Sequence, residues 1–197
     1  MQVLTNCQHS APSGHGLGEP SPWVRRFAAL IRPGGRVLDL AAGTGRHTIF
    51  LRQRGHEIVA ADRDISALSA LQADPGITIA AIDLEDGAAW ALGQDYDGIV
   101  VTNYLHRPLF AALGDALAPS GILIYETFAL GNERFGKPSN PAFLLRPGEL
   151  LEAFGNLTVI AFEQGVVAQP KPAAIQRIAA IEADPARLPR LPDPESD

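Results

Sequence analysis

The sequence predicts an α/β domain, a three-layer sandwich built on a mostly parallel sheet. Three observations carry that expectation. Short apolar runs recur and stop at Asp39, Asp62, Asp83 and Asn103, so a polar group closes one strand after another. Helical patterns alternate with these runs, as crossover connections between parallel strands require. The last two apolar runs, 157–163 and 174–182, are joined by a turn region around Pro170-Lys171-Pro172 that is too short for a crossover helix, and so should pair antiparallel.

The chain has 197 residues with 46% hydrophobic content, enough for one domain with a substantial core. No apolar run approaches the roughly 18 residues of a membrane span, and no basic segment followed by an apolar core suggests a secretory signal. The single cysteine, Cys7, supports neither an internal disulfide framework nor a cysteine-rich metal site, and no metal is expected. These features point to a cytoplasmic protein. A net charge of −6 speaks against broad binding to a nucleic-acid backbone, which needs a basic face.

Three segments are expected. Residues 1–19 are polar and glycine-rich and read as a flexible arm, or as a segment that folds over a ligand. Residues 20–183 form the domain, and the Pro-rich, charged stretch 184–197 forms a tail. Ser21 and Pro22 open a helix as N-cap and first-turn proline, with Trp23, Phe27, Leu30 and Ile31 on one face. A turn over Arg32-Pro33-Gly34-Gly35 feeds the first strand, which ends near Asp39. A helix follows over 46–54. The next strand covers 57–61 and its helix 65–71, capped by Asp64 or Ser66. Strands over 77–82 and 96–102, a helix over 109–117 and a strand over 121–125 complete the rhythm.

The stretch Asp39-Leu40-Ala41-Ala42-Gly43-Thr44-Gly45-Arg46 organises the rest. A strand, a glycine turn and a helix start bring backbone close to a ligand, and the unpaired N–H groups at the helix start suit an anionic group. A dinucleotide fingerprint would place a third glycine at position 48, where the chain has Thr48.

The stretch resembles the first motif of class I S-adenosylmethionine-dependent methyltransferases, an acid followed by three alternating glycines. Asp39, Ala41, Gly43 and Gly45 meet that pattern, with Ala41 in place of the first glycine. Asp62 follows at the spacing of an acid that accepts hydrogen bonds from ribose hydroxyls, with Arg63 beside it. The resemblance assigns Asp83 to the adenine amino group, with the Leu84 backbone beside it, and places Asn103 at the end of the fourth strand. It implies S-adenosyl-L-methionine as cofactor, a Rossmann-like sheet of seven strands in the order 3-2-1-4-5-7-6, and an antiparallel hairpin at its end. Within the class, the overall look is closest to small bacterial methyltransferases of the tellurite-resistance and ubiquinone-biosynthesis type.

Two places speak to the substrate. Asn103-Tyr104-Leu105-His106 follows the fourth strand, where the transferred methyl is expected. DNA and protein amide methyltransferases carry an Asn-Pro-Pro-Tyr type sequence there, and this chain does not. His106 is the candidate general base, since imidazoles titrate near neutrality, and Tyr104 is a second candidate catalytic group. A histidine that simply packs at the following helix is the competing reading. The long connection 127–147 reads as a lid carrying Arg134, Phe135 and Lys137, suited to a small, partly apolar or anionic acceptor. The implied reaction is direct displacement at the methyl carbon. The alternatives are a binding module that holds the cofactor or a related nucleoside without turnover, and a nicotinamide oxidoreductase, which Thr48, Asp83 and the terminal hairpin oppose.

Overall fold

A computed structural model describes residues 18–183 and 189–193. Seven strands form one sheet in the order β3-β2-β1-β4-β5-β7-β6. They are β1 (Arg36–Leu40), β2 (Glu57–Asp62), β3 (Ile77–Ala81), β4 (Tyr96–Thr102), β5 (Leu117–Phe128), β6 (Thr158–Val167) and β7 (Ala173–Ile181). Every pairing from β3 through β5 is parallel. β7 runs antiparallel to both β5 and β6, as the short 170–172 turn requires. The strand order and the terminal hairpin are those the sequence led us to expect.

Both faces of the sheet are covered. On one side α1 (Pro22–Phe27) and α2 (Arg46–Gln53) press Trp23, Val24, Phe27 and Leu51 against Val37, Ala60, Val100 and Ile124. On the other, α3 (Phe110–Asp115) and α4 (Glu149–Ala153) bury Leu113, Leu150 and Phe154 against Leu38, Ile99, Leu123 and Tyr125. The central strands β1 and β4 are buried on both faces, which is why Val37-Leu38 and Ile99-Val100-Val101 are apolar without alternation.

Ser21 caps α1 as expected, its hydroxyl accepting the Trp23 N–H at 3.1 Å. Trp23 Nε1 donates to the Ile178 carbonyl at 3.2 Å and its ring lies 4.7 Å from the Arg177 guanidinium. Arg177 in turn holds Glu126 at 3.1 Å and Glu163 at 2.5 Å. The first helix is thereby tied to β5, β6 and β7 at once.

Several expectations are corrected. The segment over 65–71 is a 3-10 helix, Ser66–Leu71, whose entry is capped by Asp64 accepting the Ser66 N–H at 3.0 Å. The helix expected over 109–117 is shorter, because Arg107–Leu109 winds as a 3-10 turn behind Pro108 and Leu117 already belongs to β5. β5 runs on past Tyr125 to Phe128, since Glu126, Thr127 and Phe128 find partners in Arg177, Gln176 and Ile175. The strand–helix rhythm also breaks between β3 and β4, where residues 82–95 contain no helix and Trp90 and Leu92 provide the apolar cover. The arm expected over 1–19 lies outside the described residues except for Gly18 and Glu19. Of the tail expected over 184–197, only 189–193 is described, and there the Pro192 carbonyl accepts from Arg26 Nε at 3.4 Å. No helix among the described residues is long and apolar enough to cross a membrane.

Candidate active site

The glycine turn leaves β1 through three residues with positive φ: Ala41 at 54°, Gly43 at 56° and Gly45 at 79°. A left-handed backbone costs a residue with a side chain about 1–2 kcal/mol, so Ala41 holds the first-glycine position at some strain. The two glycines serve different ends. A Cβ on Gly45 would meet Leu68 Cδ2 at 2.8 Å and Leu71 Cδ1 at 3.0 Å, so Gly45 lets the turn pack on the 3-10 helix that follows β2. A Cβ on Gly43 would meet nothing within 4 Å among the described residues. Gly43 therefore faces open space at the carboxyl edge of the sheet, where open α/β sheets bind their ligands.

Asp62 belongs to the same turn. Its Oδ2 accepts the Gly43 N–H at 2.8 Å, across nineteen residues of sequence, and its Oδ1 accepts the Asp64 N–H at 3.0 Å. Each oxygen keeps a lone pair for a further donor. Ile82 N–H bonds the Asp62 carbonyl at 3.0 Å, which brings the end of β3 alongside. Asp83 follows, exposed, its Oδ1 accepting the Glu85 N–H at 2.9 Å. Leu84 is half-buried and rests against the core beneath, and Arg63 is exposed next to Asp62. Asn103 leaves β4 with φ of 56° and donates its N–H to the Glu126 carbonyl at 2.9 Å. Asp83, Asp62, Gly43 and Asn103 thus line one edge, at the ends of β3, β2, β1 and β4 in turn.

Asp39 is placed differently from its neighbours in the motif. It is buried, and its Oδ2 accepts the Thr48 hydroxyl at 2.6 Å. Burial pushes its carboxyl up to about 6, against the hydrogen bonds from Thr48 and the charge of Arg46, which favour the ionised form. Asp39 locks α2 onto β1 under the turn.

Beyond β4, the Tyr104 hydroxyl is buried and makes no hydrogen bond among the described residues. Burial, then the carboxylates of Glu85 and Asp83, hold the phenol well above its ordinary range. That places Tyr104 beside the end of β3. Its carbonyl accepts from the Tyr125 hydroxyl at 2.9 Å, which fixes the segment against β5. His106 is half-buried at the entry to the Arg107–Leu109 turn, and its imidazole has no hydrogen-bond partner among the described residues.

The connection over 127–147, expected to be a lid, is tied down by its own contacts. Ala129 bridges Leu145, and buried Asn132 joins Pro138 and Ala174, at 3.0 and 3.2 Å. Arg107, beside His106, grips it from below: its guanidinium donates to the carbonyls of Ala142 at 2.7 Å and Leu144 at 2.9 Å, and pairs with Glu149 at 2.6 Å. Burial raises the affinity of Glu149 for a proton, but hydrogen bonds from Arg107 and Arg146 overcome this and hold its carboxyl at about 2. The three lid residues named above are exposed. Arg134 lies 5.5 Å from the Phe135 ring and borders a recess of about 100 Å³ between lid and terminal hairpin. Arg134 Nε donates to the Gly131 carbonyl at 3.1 Å, within the same connection, and among the described residues no hydrogen bond or ion pair joins Arg134, Phe135 or Lys137 to the glycine turn or the strand-end acids.

One cluster escaped the sequence reading. Buried His47, in the first turn of α2, accepts the Ser21 N–H at Nε2 with a 3.1 Å separation, which puts the ring proton on Nδ1, 3.4 Å from Thr102 Oγ1. Burial, helped by the charge of Arg46, lowers this imidazole to about 3, so it is neutral. Ser21 Oγ donates to Glu126 at 2.8 Å. The signal for it was His47 sharing the apolar face of α2 with Thr48 and Leu51.

Comparison with known proteins agrees with this fold. The profile of the methyltransferase-domain family matches residues 14–179. YqeM of Bacillus subtilis, a protein assigned to the methyltransferases, is 29% identical over 115 residues, 53% of this chain and 47% of its own length, so the chain spans about half of that relative. The structure of TehB from Haemophilus influenzae superposes with a TM-score of 0.65 at 18% identity, covering 79% of this chain and 59% of TehB. A TehB-like SAM-dependent methyltransferase from Corynebacterium glutamicum gives 0.60 at 20%, covering 85% and 89%. The Burkholderia thailandensis 1,6-didemethyltoxoflavin-N1-methyltransferase gives 0.58 at 20%, covering 83% and 77%. The chain belongs to the methyltransferase-domain family and carries the fold of the class I S-adenosylmethionine-dependent enzymes.

Proposed function

We propose that this chain transfers a methyl group from S-adenosylmethionine to a small-molecule acceptor by direct displacement. The observation that carries the reading is the Gly43–Asp62 hydrogen bond beside open space at Gly43. A bare backbone and a carboxylate with spare lone pairs, side by side, fit a ribose. Asp83, with the Leu84 backbone, would take the adenine, and Tyr104 would close that end of the site with its unpartnered hydroxyl. Arg63 and Asn103 border the same edge. Ala41, Gly43 and Gly45 shape the turn that accepts the aminoacyl part, and Asp39 supports it from beneath.

The bound cofactor would supply an activated methyl on a sulfonium, which needs no further activation by the protein. The chain's own contribution is orientation and exclusion of water, and well-aligned partners gain roughly 7–11 kcal/mol over a bimolecular encounter. His106, with an unengaged imidazole, would hold the acceptor or take its proton. The lid would cover it, with Arg134, Phe135 and Lys137 available to an anionic or apolar acceptor. Support for a small acceptor comes from the 1,6-didemethyltoxoflavin-N1-methyltransferase among the similar structures.

The test begins with calorimetry against S-adenosylmethionine, S-adenosylhomocysteine, NAD and NADH. Micromolar binding of the adenosyl pair alone is expected, and tight NAD binding without either would overturn the cofactor assignment. A screen of thiols, phenols, quinone precursors and small oxyanions with labelled cofactor then looks for transfer. Cofactor binding with no transfer to any of them would favour the second reading, a binding module without turnover.

A further inference from the structure

The outer face of α2 carries a stripe that methyl transfer does not use. Arg46, Ile49, Phe50, Gln53 and Arg54 recur at helical spacing and, with Arg25 and residues 18–20, line a groove of about 420 Å³. Neither Gly43 nor any of the strand-end acids borders it. Its volume falls in the range of small-molecule sites, roughly 300–1,000 Å³.

The charges in the groove are unusually placed. Arg52, on the same helix, is bound by Asp74 at 2.9 Å. Arg46 and Arg54 have no carboxylate partner among the described residues: Arg46 reaches only the Glu19 carbonyl, at 3.4 Å, and Arg54 lies 4.6 Å over the Phe50 ring. The Glu19 side chain is 90% exposed and comes no nearer than 4.0 Å to Arg25. A protein of net charge −6 therefore concentrates guanidinium groups above a half-buried floor of Phe50 and Ile49. Guanidinium forks match carboxylates, sulfonates and phosphates, and the pair of Arg54 and Phe50 offers a stacking surface.

We propose that this groove is a second binding site, for an organic anion with an aromatic body, separate from the cofactor edge. The ligand's acid group sits between Arg46 and Arg54, and its ring lies along Phe50 and Ile49. This does not depend on the chain being an active methyltransferase.

The probe is 1-anilinonaphthalene-8-sulfonate, titrated into the full chain and followed by fluorescence. Saturable binding of one equivalent in the micromolar range is expected. Arg54→Glu and, independently, Gln53→Glu should each weaken it at least about tenfold, because each places a negative charge against the sulfonate. Both positions are exposed, so unchanged melting is expected and confirms intact folding. The uncharged analogue N-phenyl-1-naphthylamine should bind at least about tenfold more weakly than the sulfonate. Excess S-adenosylhomocysteine should leave the probe in place. Displacement by that compound, equal affinity in both variants, or absence of saturable binding would each overturn the proposal.

Discussion

His47 accepts the backbone N–H of Ser21 at 3.1 Å, so the cap of the first helix hangs on the helix that follows the glycine turn. This buried, neutral imidazole stands eight positions from a buried acid, Asp39, whose response to protons is the reverse. Burial lowers His47 to about 3, so between that value and an ordinary imidazole's 6.5 the unfolded chain binds the extra proton and stability rises with pH. Burial raises Asp39 to about 6, so between 3.8 and that value the folded chain binds the extra proton and stability falls with pH. From about pH 4 to 6 the two contributions oppose each other, each with a slope of about 1.4 kcal/mol per pH unit at most. Urea titrations at several pH values should show the balance upset in opposite senses. Relative to the parent chain, His47→Gln should lose stability as pH rises through that window, and Asp39→Asn should gain it. Parallel curves for all three proteins would refute the assignment.

The two glycines of the turn should separate folding from binding. Gly45→Ala drives a methyl toward Leu68 and Leu71 at a left-handed residue and should cost about 2–4 kcal/mol in stability. Gly43→Ala meets no such contact, so its stability loss should stay near the backbone contribution of about 1–2 kcal/mol. Its affinity for S-adenosylhomocysteine should nonetheless fall at least about tenfold, because the methyl enters the space assigned to the ligand. Thermal melts and calorimetry on the two variants decide it, and a reversed ranking in either measurement would contradict this division.

Asp62→Ala removes the acceptor that joins the turn to β2 and the proposed partner of the ribose. Hydrogen bonds to a charged group contribute roughly 1.5–3 kcal/mol each, so cofactor affinity should drop by at least about tenfold while the domain still folds cooperatively. Normal binding by this variant would mean that the carboxylate does not meet the nucleoside.

Arg107 is expected to hold the lid as well as to neutralise Glu149. Arg107→Ala leaves a buried carboxylate with Arg146 alone, and breaking such a pair costs about 3 kcal/mol. Without Arg107 the Glu149 carboxyl should climb from about 2, so the deficit should shrink as pH falls below about 4.5. Amide exchange over 140–147 should accelerate. A deficit independent of pH would place the loss elsewhere in the contact.

His106→Ala distinguishes chemistry from positioning. If His106 takes a proton from the acceptor, turnover on the best acceptor found should fall by roughly 10²–10⁴-fold with cofactor affinity nearly unchanged. Full activity would remove His106 from the mechanism.

The sheet was legible because its strands are buried and bounded by polar groups. Asp39, Asp62, Asp83 and Asn103 mark strand ends, and the short turn at 170–172 dictated the antiparallel finish. What eluded the sequence depends on partners far along the chain. Nothing local says that Thr127 and Phe128 extend β5, since Gln176 and Ile175 supply the ladder. Asp39 reads like the other acids, and only the fold shows it sealed under Thr48 while Asp62 faces outward. Tyr104 stood beside His106 as a candidate for chemistry, but the chain bends after Asn103 and sets its hydroxyl beside Glu85, toward the proposed adenine end. His47 went unremarked because its partners, Ser21 and Thr102, belong to other elements.

The grip of Arg177 on Glu126 and Glu163, with Trp23 stacked above, also sets where this chain can be divided. Six residues of helix are too few to fold by themselves, yet removing them would strip Trp23 and the Ser21 bond from a guanidinium and two acids left open to water. A fragment starting after Phe27 would therefore lose cohesion along three strands at once. Fusion partners, tags and circular-permutation breaks must therefore leave Ser21 and Trp23 joined to the sheet.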